Sequence, residues 1–177
     1  MKERTCPPDW TVVDVVELTL DTQKLREALM TFVDTQIKKI LVRTKLSVLP
    51  EDYFVIRLPL DSKPIPGEWY RPATTRFAVF IREPKEISLI VARRKWLRMQ
   101  SIFDKYEISG PMKVIAFDNK LSMSAPGYMA VIGSVLAEAK ISVLPVSTLI
   151  SDHLVVKKEV LPRAIRILRQ FIQKCGD

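Results

Sequence analysis

The residues whose types and order could do chemistry gather in one stretch, Pro126 to Phe171, which reads PGYMAVIGSVLAEAKISVLPVSTLISDHLVVKKEVLPRAIRILRQF. A glycine, Gly127, opens an amphipathic helix. A strand ends in Ser147-Thr148, the next begins at Asp152-His153, and a last helix follows. A hydrolytic triad needs a histidine beside both a nucleophile and an acid. His153 is the only histidine and adjoins Asp152, but neighbours on a strand point to opposite faces. There is no Walker loop, GxGxxG or HExxH. The acids Glu83 and Glu86 sit at a hairpin turn, where solvation is the plain explanation. The expectation is no catalytic residue and no enzyme. The pattern points instead to a module that senses a small molecule.

Metal and cofactor chemistry find no support either. Cys6 and Cys175 lie near opposite ends, form no CxxC and have no paired histidines, so zinc and thioredoxin-type chemistry are not expected. A reducing compartment suits two distant cysteines. Met1-Lys2-Glu3-Arg4 leads toward Pro7-Pro8 and not into an apolar run, and no stretch reaches the roughly 20 apolar residues of a membrane helix. The reading is a soluble, cytoplasmic protein without cofactor. Its net charge is +8 and its pI about 9.6. The excess reads as spread along the chain, with one dense run, Arg93, Arg94, Lys95 and Arg98. A solvated face is the plain reading of that run. Nucleic acid is the weaker one, and its signature would be steep loss of binding with salt.

Hydrophobic residues make up 47% of the 177, enough for a core. Trp10–Leu20 reads as a Val-rich strand. From Thr22 to Thr44 the apolar residues Leu25, Leu29, Phe32, Val33, Ile37, Ile40 and Leu41 keep helical spacing. Strands follow at Asp52–Leu58, Arg76–Arg82 and Glu86–Ala92, the last two forming a hairpin through Glu83-Pro84-Lys85. The Pro-rich segment Leu60–Thr75 reads as a loop with Trp69 and Tyr70 plugging a core edge. A short helix fits Arg93–Asp104. The second half is a strand at Lys113–Phe117, a polar loop at Asp118–Ala125, a helix at Gly127–Ala139, strands at Ile141–Val146 and His153–Lys157, and a helix at Glu159–Gln173. That βαββα order implies an antiparallel sheet with helices on one face.

Several segments, in order, are similar to the ACT-domain family. They are Leu46-Ser47-Val48-Leu49-Pro50 leading to Tyr53–Leu58, Ile65-Pro66 with Trp69, and Glu86-Ile87-Ser88-Leu89-Ile90. They continue with Ser109-Gly110-Pro111, Gly127, Leu136–Ser142, Val146-Ser147-Thr148, Asp152 and Val155-Val156. From Leu46 to Phe171 the chain resembles tandem ACT proteins, a group that includes the ACT modules of cytosolic arginine sensors and lysine-sensitive aspartate kinases. It departs from the pattern at Leu149 and Ile150, where the family commonly has a tyrosine and an acid. It departs again at Met123–Gly127, the loop before the helix.

The resemblance implies an α+β protein of two ferredoxin-like (βαββαβ) ACT modules, at 46–109 and 110–177. Residues 1–45 would be an added strand and helix. It also implies a non-catalytic regulator that binds a small effector, an amino acid, at the junction of modules. The partner would be a second copy or a regulated protein. The implied ligand-binding residues are Ser122, Ser124, Pro126, Gly127, Tyr128, Thr148 and Asp152. Free N–H groups at Pro126-Gly127-Tyr128 suit an α-carboxylate. Gly127 permits close approach, Ser122 and Ser124 add hydroxyls, and Asp152 suits an ammonium or guanidinium. Each has a plainer role open to it: Gly127 as a turn, the serines as caps, Asp152 as a strand terminator. Leu149 and Ile150 keep a second function open, an interaction module whose ligand pocket has decayed.

Overall fold

Every strand pair in the structure, a computed structural model that describes residues 35–67, 76–118 and 127–174, is antiparallel. All these residues belong to one compact unit, Val33–Asp177. The elements run α1 (Thr35–Arg43), β1 (Lys45–Val48), β2 (Tyr53–Leu58), β3 (Val79–Arg82), β4 (Ile87–Ala92) and α2 (Arg93–Met99, extended by a 3-10 turn, Gln100–Ile102). Then come β5 (Glu107–Asp118), α3 (Tyr128–Glu138), β6 (Leu144–Ser147), β7 (Asp152–Lys157), a 3-10 turn (Lys158–Val160) and α4 (Leu161–Lys174). The expected strand at Trp10–Leu20, the start of the Thr22–Thr44 helix, and Trp69 and Tyr70 lie outside the described residues.

One seven-stranded sheet results, in the order β3-β4-β2-β5-β7-β6, with β1 also on β5. β5 spans both halves. Its first part, Glu107 to Met112, pairs with β2. Its second part pairs with β1 through Ile115 to Asp118 and with β7 through Met112 to Phe117. The expected boundary between residues 109 and 110 therefore falls inside a single strand.

The sequence pattern predicts only Lys113–Phe117 of this strand, since Gly110-Pro111 is a turn signal. The pair occupies a bulge instead. Tyr53 faces Met112 and Val55 faces Ser109, so Gly110 and Pro111 together oppose Phe54. Pro111 lacks an N–H and follows a cis bond, and a bulge tolerates a proline that a regular ladder would not. Gly110 has φ +141°, and a Cβ there would stand 2.8 Å from Phe54 Cδ1 and 3.0 Å from the Tyr53 carbonyl.

The extra residue changes which way the strand faces, because a shift of one reverses every side chain. Ile108 pairs with Ile56, whose side chain packs under α2 with Leu58, Leu89, Val91, Trp96, Met99 and Phe103. Beyond the bulge, Met112 and Val114 lie on the other face with Tyr53, Ile90, Ala92, Val155 and Phe77. Ile115 and Phe117 then return to the helical face. There they pack with Ile37 and Leu41 of α1, Ile132 and Leu136 of α3, and Ala164 and Leu168 of α4. The four helices among the described residues thus lie on one face of a continuous sheet.

Helix ends follow local chemistry. Ile37 and Leu41, one turn apart, are the buried stripe of α1. α3 closes with Lys140 at φ 56°. The Ile141 N–H reaches the Leu136 carbonyl at 3.0 Å and the Lys140 N–H reaches the Ala137 carbonyl at 2.8 Å, a Schellman closure. Pro162 stands in the first turn of α4, where its missing N–H costs nothing.

A charged knot ties the two halves together. Asp52, just before β2, sits 3.0 Å from Lys113 Nζ of β5 and 2.8 Å from Lys158 Nζ beyond β7. Lys113 also donates to the Pro50 and Glu51 carbonyls at 2.7 and 3.2 Å, and the Arg93 N–H donates to the Asp52 carbonyl at 2.7 Å. The hydrogen bonds from Lys158 and then Lys113 hold the Asp52 carboxyl below its ordinary value.

Two stability predictions follow from the bulge and the knot. Gly110→Ala is expected to lower stability in urea unfolding by about 2–3 kcal/mol, through strain and overlap. Gly133→Ala, where a Cβ meets nothing within 4 Å, is expected to be neutral or to stabilise by up to about 1 kcal/mol. Asp52→Asn is expected to cost about 2 kcal/mol at neutral pH. Because the folded carboxyl titrates low, its contribution is full above about pH 4 and fades as pH falls further. Unfolding of wild type and variant across pH should show the difference closing on the acid side.

Candidate functional site

The second half brings several of the expected residues to one corner of the sheet, where β5 ends and β7 begins. Phe117 of β5 pairs with Asp152 of β7, and Asp152 pairs with Ser147 at the end of β6. Directly opposed residues share a face, so the Asp152 side chain lies on the helical face. It is 8% exposed. The first turn of α3 sits over the same place, with the Tyr128 ring meeting the Phe117 ring edge-on at 6.3 Å. Phe117 is thus the shared neighbour of the α3 N-terminus and of Asp152.

Gly127 precedes α3 in the left-handed region, with φ 86°, and its carbonyl accepts the Val131 N–H at 3.0 Å. A Cβ at Gly127 would lie 3.4 Å from Ile37 Cδ1 of α1, so backbone conformation more than space requires glycine. Among the described residues no side chain caps α3, and the early N–H groups of a helix need partners. Ser122, Ser124 and Pro126 lie outside the described residues.

Tyr128 and Thr148 have structural roles in view. Tyr128 is 2% exposed, and its hydroxyl is 3.2 Å from Thr44 Oγ1. Thr44, buried between α1 and β1, donates to the Ile40 carbonyl at 2.8 Å. This pair fastens the start of α3 to the end of α1. Thr44 was not singled out in the sequence. Its signal is a threonine one turn beyond Ile40 at the end of an apolar stripe, where back-bonding is common. Thr148 shapes the β6–β7 turn: its N–H and hydroxyl both reach the Ser151 carbonyl at 2.9 Å, and the Ser151 N–H returns to Thr148 Oγ1 at 3.1 Å. The tip of that turn presents Leu149 and Ile150 at 73% and 76% exposure.

His153 faces the opposite side of the sheet from Asp152, with its ring 4.9 Å from that of Phe77. Burial pushes its pKa down, favouring the neutral imidazole, and its buried Nδ1 has no hydrogen-bond partner among the described residues. The adjacent acid and imidazole therefore do not form a dyad.

The first half has a corner in the corresponding place that the sequence did not reveal. The segment Pro59–Asp61 follows β2. It lines a cleft of about 440 Å³ with Arg57, Lys85, Lys105, Tyr106 and Glu107. Arg57 Nε donates to Glu86 and Nη1 to Glu107, each at 2.6 Å, and Ser88 donates to Glu86 at 2.9 Å. Hydrogen bonds from Ser88 and then Arg57 hold the Glu86 carboxyl below its usual range. The two acids hold the guanidinium in place at the mouth of β2. The only hint in the sequence was an arginine inside the otherwise apolar run YFVIRL.

Comparison with known proteins agrees with this geometry. Residues 107–170 match the model of the ACT domain, which spans β5, α3, β6, β7 and most of α4. The fold is similar to a Vibrio cholerae protein of unknown function, described as a possible transport protein: identity is 20%, TM-score 0.58, covering 77% of this chain and 96% of that one. A second similar structure is an Agrobacterium tumefaciens protein, at 23% identity and TM-score 0.58, covering 72% and 88%. A third is the ligand-free regulatory subunit of Thermus thermophilus aspartate kinase, at 8% identity and TM-score 0.53, covering 71% and 95%. No curated protein matches the chain. No helix among the described residues is long and apolar enough to cross a membrane, and no cluster of metal-ligating side chains occurs among them.

Fastening of α3 by the hydroxyl pair is testable by a double-mutant cycle. Tyr128→Phe and Thr44→Val are each expected to cost about 1 kcal/mol, with the double variant costing less than their sum. Additive losses in urea unfolding would show that the two hydroxyls act separately.

Proposed function

We propose that this chain is a non-catalytic regulator built of two ferredoxin-like ACT modules that share β5, and that it binds an amino acid. In the first module, β2, β3, β4 and α2 are completed by the start of β5. In the second, the end of β5, α3, β6, β7 and α4 are completed by β1, which comes earlier in the chain. The observation that carries this reading is the ACT-domain match over 107–170. It falls on the half where the α3 N-terminus and Asp152 meet over Phe117. A helix N-terminus favours the α-carboxylate, and a carboxylate with little exposure favours the ammonium or a basic side chain. Coupling to a partner, a second copy or a regulated protein, needs only that the ligand prefer one arrangement of the modules. The cytoplasm is the proposed setting.

A second reading rests on the exposed Leu149 and Ile150 at the β6–β7 turn. It makes the chain an interaction module whose ligand corner is closed by its own side chains.

Thermal unfolding against the standard amino acids, each at millimolar concentration, separates the two. A ligand at a hundredfold its dissociation constant adds about 2.7 kcal/mol, a shift of roughly 5–10 °C for a chain of this length. One or two amino acids are expected to give it. Asp152→Ala and Asp152→Asn should abolish the shift while the unliganded protein stays folded. Gly127→Val is expected to do the same, at some cost in stability from its positive φ. A flat panel from folded protein supports the interaction module.

A further inference from the structure

The whole net charge of the chain sits in one part of the fold. Segments 35–48 and 127–174 hold eleven Lys and Arg against three Asp and Glu, while the rest of the chain balances at seventeen of each. The excess is not spread evenly, as the sequence reading had it. It coincides with α1, β1 and the α3–α4 half. Of the three acids, Asp152 is buried and Glu159 lies 3.9 Å from Lys157.

On the helices, this excess faces outward. The buried residues of α4 are Ala164 and Leu168. On the opposite side Arg163, Arg166 and Arg169 are all exposed, three apart, so they form one ridge. At 1.5 Å per residue the ridge runs about 9 Å. Arg163 is fixed by its bond from Nη2 to the Ala139 carbonyl at 2.8 Å, at the negative end of α3. α1, which packs on α4, adds exposed Lys39 and Arg43 on the side away from Ile37 and Leu41. No ion pair engages Lys39, Arg43, Arg166 or Arg169 among the described residues. By contrast, Arg57 and Arg94 in the first half are paired with carboxylates.

We infer that the outer face of α4 and α1 is a docking surface for an acidic helical segment of a partner protein. Arginine forks match carboxylates in pairs, and steps of three along α4 meet acids presented every three or four residues on a partner helix. Other anionic occupants fit less well. No large aromatic is exposed on these helices to stack a base. Among the described residues Val42 is the only exposed large apolar residue on either of them, too little to enter a lipid surface. This inference does not depend on the amino-acid site.

The test uses the full chain and a fluorescein-labelled, Glu-rich helical peptide of about 20 residues, some 30 Å long, read by anisotropy at low ionic strength. Arg166→Glu/Arg169→Glu is expected to weaken binding about tenfold or more. Arg93→Glu/Arg98→Glu on α2, an equal change in charge, should leave it within about threefold. Arg166→Gln/Arg169→Gln, checked for an unchanged melting temperature, repeats the test should the charge reversal impair folding. Equal weakening by both sites, or no binding by the wild type, overturns the proposal. A duplex DNA that displaces the peptide at about a tenth of its concentration, and is itself lost with Arg166 and Arg169, also overturns it in favour of nucleic acid.

Discussion

Everything in this fold depends on one strand facing two ways. β5 must give Ile108 to the α2 side of the sheet and, a few residues later, Ile115 and Phe117 to the core under α1, α3 and α4. A strand of regular period two cannot keep both sets on one face when an even-numbered and an odd-numbered residue must share it. The bulge at Gly110-Pro111 resolves the conflict by adding one residue. It lets the two halves share a strand and still present a single helical face. The sequence around the bulge is fitted to this demand: a glycine where a Cβ would strike Phe54 and the Tyr53 carbonyl, then a proline that donates nothing.

The same constraint explains where the charged knot sits. Tyr53 and Met112 resume pairing directly after the bulge, and Asp52 and Lys113 are the next residues outward. Met112 is also where β7 joins, at Lys157, so Lys158 arrives at the same point. Asp52 therefore reaches both cations at the meeting of β2, β5 and β7. Its value lies less in raw attraction than in holding three chain segments at the crossing, since a lysine held by one carboxylate and two carbonyls has little freedom left.

Local patterning made much of this architecture legible. The helices at Gly127–Ala139 and Glu159–Gln173 and the hairpin of β3 and β4 follow apolar period and turn chemistry, and they stand within a few residues of where the pattern puts them. β1 and the first part of β5 did not show. β1 is four residues long and exists because β5 offers it an edge. The start of β5 is hidden by Gly-Pro, which has the same appearance in a turn as in a bulge. Of the candidate site, Gly127 and Asp152 were readable as a helix opener and a strand opener, and the pairing of Phe117 with Asp152 brings them together. Tyr128 turns its ring edge-on to Phe117 and its hydroxyl toward Thr44. A tyrosine at the start of a helix carries no mark of which way it turns. The partner that decides it, Thr44, is 84 residues away. Arg57 was missed for the same reason, because Glu86 and Glu107 meet it only through the register of β2 with its two neighbours.

The two halves use their shared plan differently. In the first, three basic residues are answered by acids: Arg57 by Glu86 and Glu107, Lys63 by Asp104, Arg94 by Glu51. In the second, Lys39 and Arg43 of α1 and Arg166 and Arg169 of α4 have no such answer among the described residues. Like charges left uncompensated on a helical layer raise its energy through mutual repulsion, and nothing in the packing of Ile37, Leu41, Ala164 and Leu168 beneath them calls for charge of either sign. An amphipathic helix needs only a polar outer face, which mixed charges would supply at lower cost. The choice of one sign over α1 and α4 is thus not a requirement of folding. The buried side of α4 makes it a helix of this sheet, and the exposed side is where a requirement from outside the fold is written.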